Sequence, residues 1–122
     1  MNNKKVLVVD DSMMIRNALT RVFSEVGVEV EEAADGIEAL SLLESASFNL
    51  VMCDLNMPNM SGMELLQASQ KLRKERGTSV VMLTTEGRPE FVVQARELGA
   101  NGWLVKPFQN EQILLLAKRF LS

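Results

Sequence analysis

The sequence contains no histidine, one cysteine and no long apolar run. Without histidine, the chain cannot form a Ser-His-Asp triad, a histidine-ligated zinc site or a phosphohistidine of its own. Any proton or phosphoryl chemistry must therefore use carboxylates, lysine, hydroxyls or the groups of a partner. Cys53 has no second cysteine with which to form an internal disulfide, which favours a cytoplasmic location. No apolar stretch reaches about 18 residues, so we expect no membrane span.

The length of 122 residues predicts a single domain that occupies residues 1–122. The chain is 47% hydrophobic and 24% charged, which is ordinary for a soluble globular protein. Its net charge of -3 gives no overall attraction to nucleic acid or to an anionic membrane, so neither is expected as a partner. The first residues run directly into an apolar segment, and we therefore expect no signal peptide.

Short apolar runs alternate with helical patterns along the whole chain. This alternation predicts an α/β fold with a parallel sheet covered by helices on both faces. Strands are predicted at about residues 5–9, 28–33, 48–53, 79–83 and 102–105, and five helices follow them, the first at about 12–26 and the last at about 110–121. In the second helix, Ile37, Leu40 and Leu43 are predicted to face the core.

The third helix is predicted to end at Arg76, because Gly77 follows it and glycine commonly terminates helices. Its last turns also carry Lys71, Arg73 and Lys74. Basic side chains near the end of a helix complement the helix dipole. Lys71, Arg73, Lys74 and Arg76 are therefore predicted to be solvated.

Polar residues stand where the apolar runs end. They are Asp10 and Asp11 after the first run, Asp54 after the third, Thr84 after the fourth and Lys106 after the fifth. In a parallel sheet, ligands bind beyond the carboxyl ends of the strands. Crowded carboxylates repel one another unless a metal or a proton intervenes, and Mg²⁺ prefers oxygen ligands. The pattern therefore predicts a divalent cation beside an anionic group, as in a phosphoryl-transfer site with a free carboxylate as nucleophile.

Taken singly, each of these residues has a plain structural explanation. Asp10 and Asp11 could cap a helix, Asp54 could belong to a polar turn, and most lysines are solvated. Their conjunction at the strand ends is what favours a functional site. Other nucleotide and phosphate sites do not fit, because the chain lacks a Gly-x-Gly-x-x-Gly run and a Walker A loop, and its first two acids are adjacent rather than spaced as Asp-x-Asp.

The sequence resembles the receiver domain of two-component response regulators, and within that family the single-domain chemotaxis regulators of CheY type. Four segments carry the resemblance, in the family's order: residues 8–12 (VVDDS), 54–62 (DLNMPNMSG), 82–85 (MLTT) and 102–108 (GWLVKPF). The resemblance covers the whole chain. It implies a doubly wound, flavodoxin-like sheet of five parallel strands in the order 2-1-3-4-5, with five helices.

The resemblance also implies a role for each matching position. Asp54 would be the phosphoacceptor. Asp10, Asp11, Asp54 and the backbone carbonyl of Asn56 would form the Mg²⁺ site, with Asp10 acting through a metal-bound water. Lys106 and Thr84 would contact the phosphoryl group, the Lys106–Pro107 bond would be cis, Thr84 and Trp103 would form the switch, and Asn56 and Glu86 would tune the phosphoryl lifetime.

The function implied is a phosphorylation-activated signalling switch, not a metabolic enzyme. A histidine kinase would donate the phosphoryl group, and a downstream protein would bind the face formed by the fourth helix, fifth strand and fifth helix. A phosphorelay intermediate and a receiver domain cut from a longer regulator are alternatives of the same class. A Mg²⁺-dependent phosphatase is the alternative of another class.

Overall fold

A computed structural model describes residues 1–85 and 88–122 of the chain. The strands are β1 (Lys5–Val9), β2 (Glu29–Ala33), β3 (Leu50–Asp54), β4 (Ser79–Thr84) and β5 (Gly102–Val105). The helices are α1 (Met13–Glu25), α2 (Gly36–Ser45), α3 (Gly62–Arg76), α4 (Pro89–Glu97) and α5 (Asn110–Leu121). The predicted α/β alternation is therefore confirmed. None of the helices in the described part of the chain is long and apolar enough to cross a membrane.

All described strand pairs are parallel, and the sheet has the order β2-β1-β3-β4-β5. This is the doubly wound order that the family resemblance implies. β3 is shifted relative to the sequence prediction, since it begins at Leu50 and includes Asp54. Asp54 therefore sits within the ladder, paired with Leu83 of β4, rather than in the loop that follows.

Alternate residues of the central strand β1 enter two separate hydrophobic layers. Val6 and Val8 pack into the layer that α1 and α5 cover, while Leu7 and Val9 pack into the layer under the other helices. All of these β1 side chains are fully buried. Successive residues of a strand point to opposite faces, so a continuous apolar run is what a strand buried on both faces requires.

Side-chain hydrogen bonds cap the start of three of the helices. Ser12, Asp35 and Ser61 are the N-caps of α1, α2 and α3, and the side chain of each accepts a hydrogen bond from a backbone N–H of the first turn. Such caps satisfy donors that the helix itself cannot pair. Gly77 ends α3 with a φ of 69°, a left-handed conformation that glycine adopts without a steric penalty.

The predicted inward face of α2 is partly wrong. Ile37 is 55% exposed, whereas Ala39 and Leu43 are buried and Leu40 is partly buried. Residues 39 and 43 are one turn apart and share a face, but residue 37 lies about 200° around the helix from residue 39. The buried face of α2 therefore includes the small side chain of Ala39 instead of Ile37.

The prediction that Arg73 is solvated is also wrong, because it is only 4% exposed. Its Nε donates to Ser69 Oγ at 2.8 Å, and its Nη2 donates to the carbonyl oxygens of Leu66 at 2.9 Å and Leu98 at 3.0 Å. Leu98 is the C-cap of α4, where carbonyl groups have no helical partner. Arg73 therefore fastens the end of α4 to α3.

Candidate functional site

The three acids predicted from the strand ends converge at one edge of the sheet. Asp10, Asp11 and Asp54 each present a carboxylate oxygen within 4.8 Å of the other two. Asp10 is fully buried and Asp54 is 6% exposed, whereas Asp11 faces solvent. The β1 and β3 strands are direct neighbours, which is why their ends meet.

Lys106 is the cation that faces these carboxylates from the end of β5. Its Nζ lies 2.6 Å from Asp10 Oδ2 and 3.4 Å from Asp54 Oδ1. Its backbone N–H donates to the Thr84 carbonyl at 2.7 Å, which fixes the start of the following segment against β4. Burial lowers the pKa of Lys106, but the hydrogen bond to Asp10 and the charges of both acids outweigh burial and raise it. Lys106 is therefore a cation at neutral pH.

The Asp54 carboxyl group has a raised pKa of about 6. Burial is the largest cause, the negative charge of Asp10 adds to it, and the positive charge of Lys106 opposes both. One ammonium group thus fails to neutralise the buried acids. At neutral pH the site holds excess negative charge on oxygen atoms, and a hard divalent cation is the ligand that such a set of donors fits.

The remaining predicted site residues lie around this centre. Thr84 ends β4 and is 1% exposed. Asn56 is exposed on the loop that leads from Asp54 to α3, and Glu86 lies outside the described residues. The Lys106–Pro107 peptide bond is cis, as the resemblance implies.

Trp103 lies on β5 beside Met82 of β4 and packs against the hydrophobic layer that α4 covers. Its side chain is partly buried. The indole Nε1 is buried, and no hydrogen-bond partner for it occurs in the described ranges 1–85 and 88–122.

The sequence analysis did not identify Arg16 and Asn59, whose side chains form hydrogen bonds at the periphery of the site. Arg16 of α1 donates to the Asp10 carbonyl oxygen at 2.7 Å. Asn59 donates to Asp35 Oδ2 at 2.8 Å, which ties the loop after β3 to the start of α2. A signal for Arg16 was present, because a cation in the first turns of a helix opposes the helix dipole and needs a local partner.

Known protein families identify the class of domain to which this site belongs. A family model described as the response regulator receiver domain matches residues 6–118. The chain is a receiver domain of that family. This establishes two-component signalling as the setting of the receiver domain.

Individual relatives agree with that assignment. The receiver domain is 36% identical over 107 residues to the chemotaxis protein CheY-3 of Vibrio cholerae, covering 87% of this chain and 82% of that protein. It is 41% identical over 112 residues to the probable transcriptional regulator ycf27 of Cyanophora paradoxa, covering 92% of this chain but only 46% of that protein. The receiver domain thus spans about half of that regulator.

Solved structures give the same result. The structure of the Vibrio cholerae chemotaxis protein CheY4 superposes on the receiver domain with a TM-score of 0.89 and 43% sequence identity. The match covers 97% of this chain and 98% of that one. The fold and the CheY-like character inferred from the sequence motifs are therefore confirmed.

Proposed function

We propose that the chain is a phosphorylation-activated switch that receives a phosphoryl group on Asp54 from a histidine kinase. The observation that carries this proposal is the position of the Asp54 carboxylate, which converges with those of Asp10 and Asp11 and lies 3.4 Å from the Lys106 ammonium. The similarity to CheY-type proteins supports a role in chemotaxis. Such a switch acts by changing its binding to a partner protein.

In the transfer step, a carboxylate oxygen of Asp54 attacks the phosphorus atom of the donor's phosphohistidine. The new P–O bond forms as the P–N bond breaks, and the electron pair stays with the histidine nitrogen of the kinase. Asp54 must be ionised to attack, and Lys106 stands where it can neutralise charge on the phosphoryl oxygens. Phosphoryl transfer depends mainly on such positioning and charge neutralisation.

Asp10, Asp11, Asp54 and the backbone carbonyl of Asn56 are the groups that we propose for Mg²⁺ binding. The fit rests on the donor set, which is three clustered carboxylates of which two are almost completely buried. When bound, Mg²⁺ would offset the charge of the acids and of the incoming phosphoryl group.

Asp11→Ala should weaken Mg²⁺ binding at least tenfold, because it removes the exposed member of the acid cluster. In the wild-type protein, the affinity should also fall as the pH drops below about 6, where Asp54 takes up a proton. Calorimetric titration at pH 8 and pH 5 measures both effects. Glu44→Ala removes an exposed acid of α2 and is the control. Equal affinities for wild type and Asp11→Ala would contradict the assignment.

The switch is proposed to run from Thr84 to Trp103 and to the face formed by α4, β5 and α5. Thr84 pairs with Val105 and Met82 pairs with Trp103, so a displacement of Thr84 acts on the strand that holds the indole ring. The switch would be a second arrangement of the Trp103 ring, which phosphorylation would favour over the observed, partly buried one. Val93, Val105 and Leu115 are exposed on these elements and provide apolar contact area for a partner.

The Lys106→Ala variant should still accept a phosphoryl group, but its conformational response to phosphorylation should be weaker. The change leaves the Asp54 carboxylate in place and removes the link between that carboxylate and β5. Trp103 is the only tryptophan, so its fluorescence reports the response without a partner. We expect the variant to be phosphorylated more slowly than the wild type and, at equal phosphorylation, to show less than half of the wild-type fluorescence change. An undiminished change would contradict the role given to Lys106.

Incubation with acetyl phosphate tests the function directly. We expect intact-mass analysis to show one added phosphoryl group with Mg²⁺, and none with EDTA. The phosphoryl group should remain on the wild-type protein, and its attachment should change the Trp103 fluorescence. Steady hydrolysis of p-nitrophenyl phosphate would instead favour a Mg²⁺-dependent phosphatase, and transfer of the group to a histidine-containing protein would favour a phosphorelay intermediate. No labelling at all would contradict the proposal. The chain also matches about half of a longer regulator, so a receiver domain that belongs to a longer protein would be compatible with the same proposal.

A further inference from the structure

We propose that Arg16 is a positioning residue that fixes the Asp10–Asp11 peptide for the binding of a divalent cation. This inference rests on the proposed function, since it assumes that the acid cluster binds Mg²⁺. It concerns a part of the domain that supplies no ligand, namely the outer side of α1 and the edge strand β2.

Arg16 connects three elements beside the acid cluster. Its Nη1 donates to the Asp10 carbonyl oxygen at 2.7 Å, and its Nε donates to Glu32 Oε1 at 3.1 Å. Thr20 Oγ1 donates to the other oxygen of Glu32 at 3.2 Å. The Arg16 side chain is 15% exposed and that of Glu32 is 35% exposed, so the ion pair is shielded from water on the arginine side.

Every other polar group of Asp10 is already held. Its N–H donates to the Ala33 carbonyl, Oδ1 accepts from the Ser12 N–H at 2.9 Å, and Oδ2 accepts from Lys106 at 2.6 Å. The carbonyl oxygen is the one polar group left, and Arg16 occupies it. The orientation of the peptide that leads into Asp11 is therefore set by Arg16.

Asp11 depends on that peptide for its direction. Its carboxylate is exposed, and no hydrogen bond to it occurs within the described ranges. Arg16 bonds a main-chain oxygen rather than a carboxylate of the cluster, so it adds positive charge nearby without competing with a cation for ligand oxygens. In metal sites generally, loss of a group that orients a ligand lowers the affinity roughly 10–100-fold.

The test is calorimetric titration with Mg²⁺ at pH 8 of the wild type, Arg16→Ala, Glu32→Ala and the double variant. We expect Kd to rise about tenfold for Arg16→Ala and by a smaller factor for Glu32→Ala. The double variant should equal Arg16→Ala, because Glu32 acts through Arg16. Glu31→Ala is the matched control, since Glu31 is the neighbour of Glu32 on β2 but pairs with Lys5 at the start of β1 instead of Arg16, so its loss should leave Kd unchanged.

A purely structural role for Arg16 would lower the urea midpoint without changing Kd. If Arg16→Ala is folded by circular dichroism and binds Mg²⁺ within twofold of wild type, the inference is overturned. If Arg16→Ala does not fold, Glu32→Ala decides, and an unchanged Kd for that variant overturns the inference as well. A wild-type protein that binds no Mg²⁺ would overturn the proposed metal site itself. If Asp11→Ala loses Mg²⁺ binding but Arg16→Ala does not, the metal site stands and only the role of Arg16 is overturned.

Discussion

Asp54→Asn should stabilise the metal-free protein at pH 8 by up to about 3 kcal/mol. In the folded protein, burial and the charge of Asp10 raise the Asp54 pKa from 3.8 to about 6, and each pKa unit is worth about 1.4 kcal/mol. Folding therefore favours the protonated carboxyl, and stability is lost as the pH rises from about 4 through about 6. A neutral amide of the same shape avoids that loss while Lys106 keeps its contact with Asp10.

Urea unfolding in EDTA at pH 8, 6 and 4 measures this effect. The gain from Asp54→Asn should be largest at pH 8 and vanish near pH 4. Asp35→Asn removes the same charge from a carboxylate whose pKa is lowered by its hydrogen bonds to Glu38 N–H and Asn59, so it should give no gain. Saturating Mg²⁺ should reduce or reverse the difference between wild type and Asp54→Asn. A variant less stable than wild type at pH 8 without metal would show that the acids are not in electrostatic conflict.

Arg73→Ala should lower the free energy of unfolding by about 3 kcal/mol. The guanidinium group is buried, and its removal leaves the carbonyl oxygens of Leu66 and Leu98 without that donor. Loss of a buried hydrogen-bonded charge is among the few mechanisms that give large single-residue effects. The damage should concentrate in α4, because Leu98 closes that helix.

Lys74→Ala is the matched control for this experiment. Lys74 is the next residue of α3, carries the same charge and is exposed, so its replacement should change stability by no more than about 0.5 kcal/mol. Urea unfolding and amide hydrogen exchange of α4 provide the two measurements. Equal stabilities for the two variants would show that the buried contacts of Arg73 contribute nothing.

The parts of the site that the sequence predicts are those that depend on strand ends. Apolar runs mark where each strand stops, and the parallel arrangement then brings Asp10, Asp11 and Asp54 to one edge. Lys106 follows from the same reasoning. The strand order required the family resemblance as well, because periodicity alone does not say which strands are neighbours.

The errors and omissions arise where a side chain bonds to a distant part of the chain. Arg73 lies in a basic stretch that looks solvated, but its acceptor at Leu98 is 25 residues away. Arg16 meets Glu32 16 residues later, across the gap between α1 and β2. The prediction for Ile37 is wrong for a different reason, since the five apolar residues of the short helix α2 leave the angle of its buried face undetermined until the helix is packed.

The central claim is that Asp54 is the residue that accepts the phosphoryl group. An acyl phosphate on aspartate is reduced by borohydride to homoserine, which marks the modified position permanently. After treatment with acetyl phosphate and Mg²⁺, then borohydride, peptide mass analysis should find homoserine at position 54, and none there in the Asp54→Asn variant or in EDTA. Homoserine at Asp10 or Asp11, or equal phosphoryl labelling of wild type and Asp54→Asn, would contradict the account.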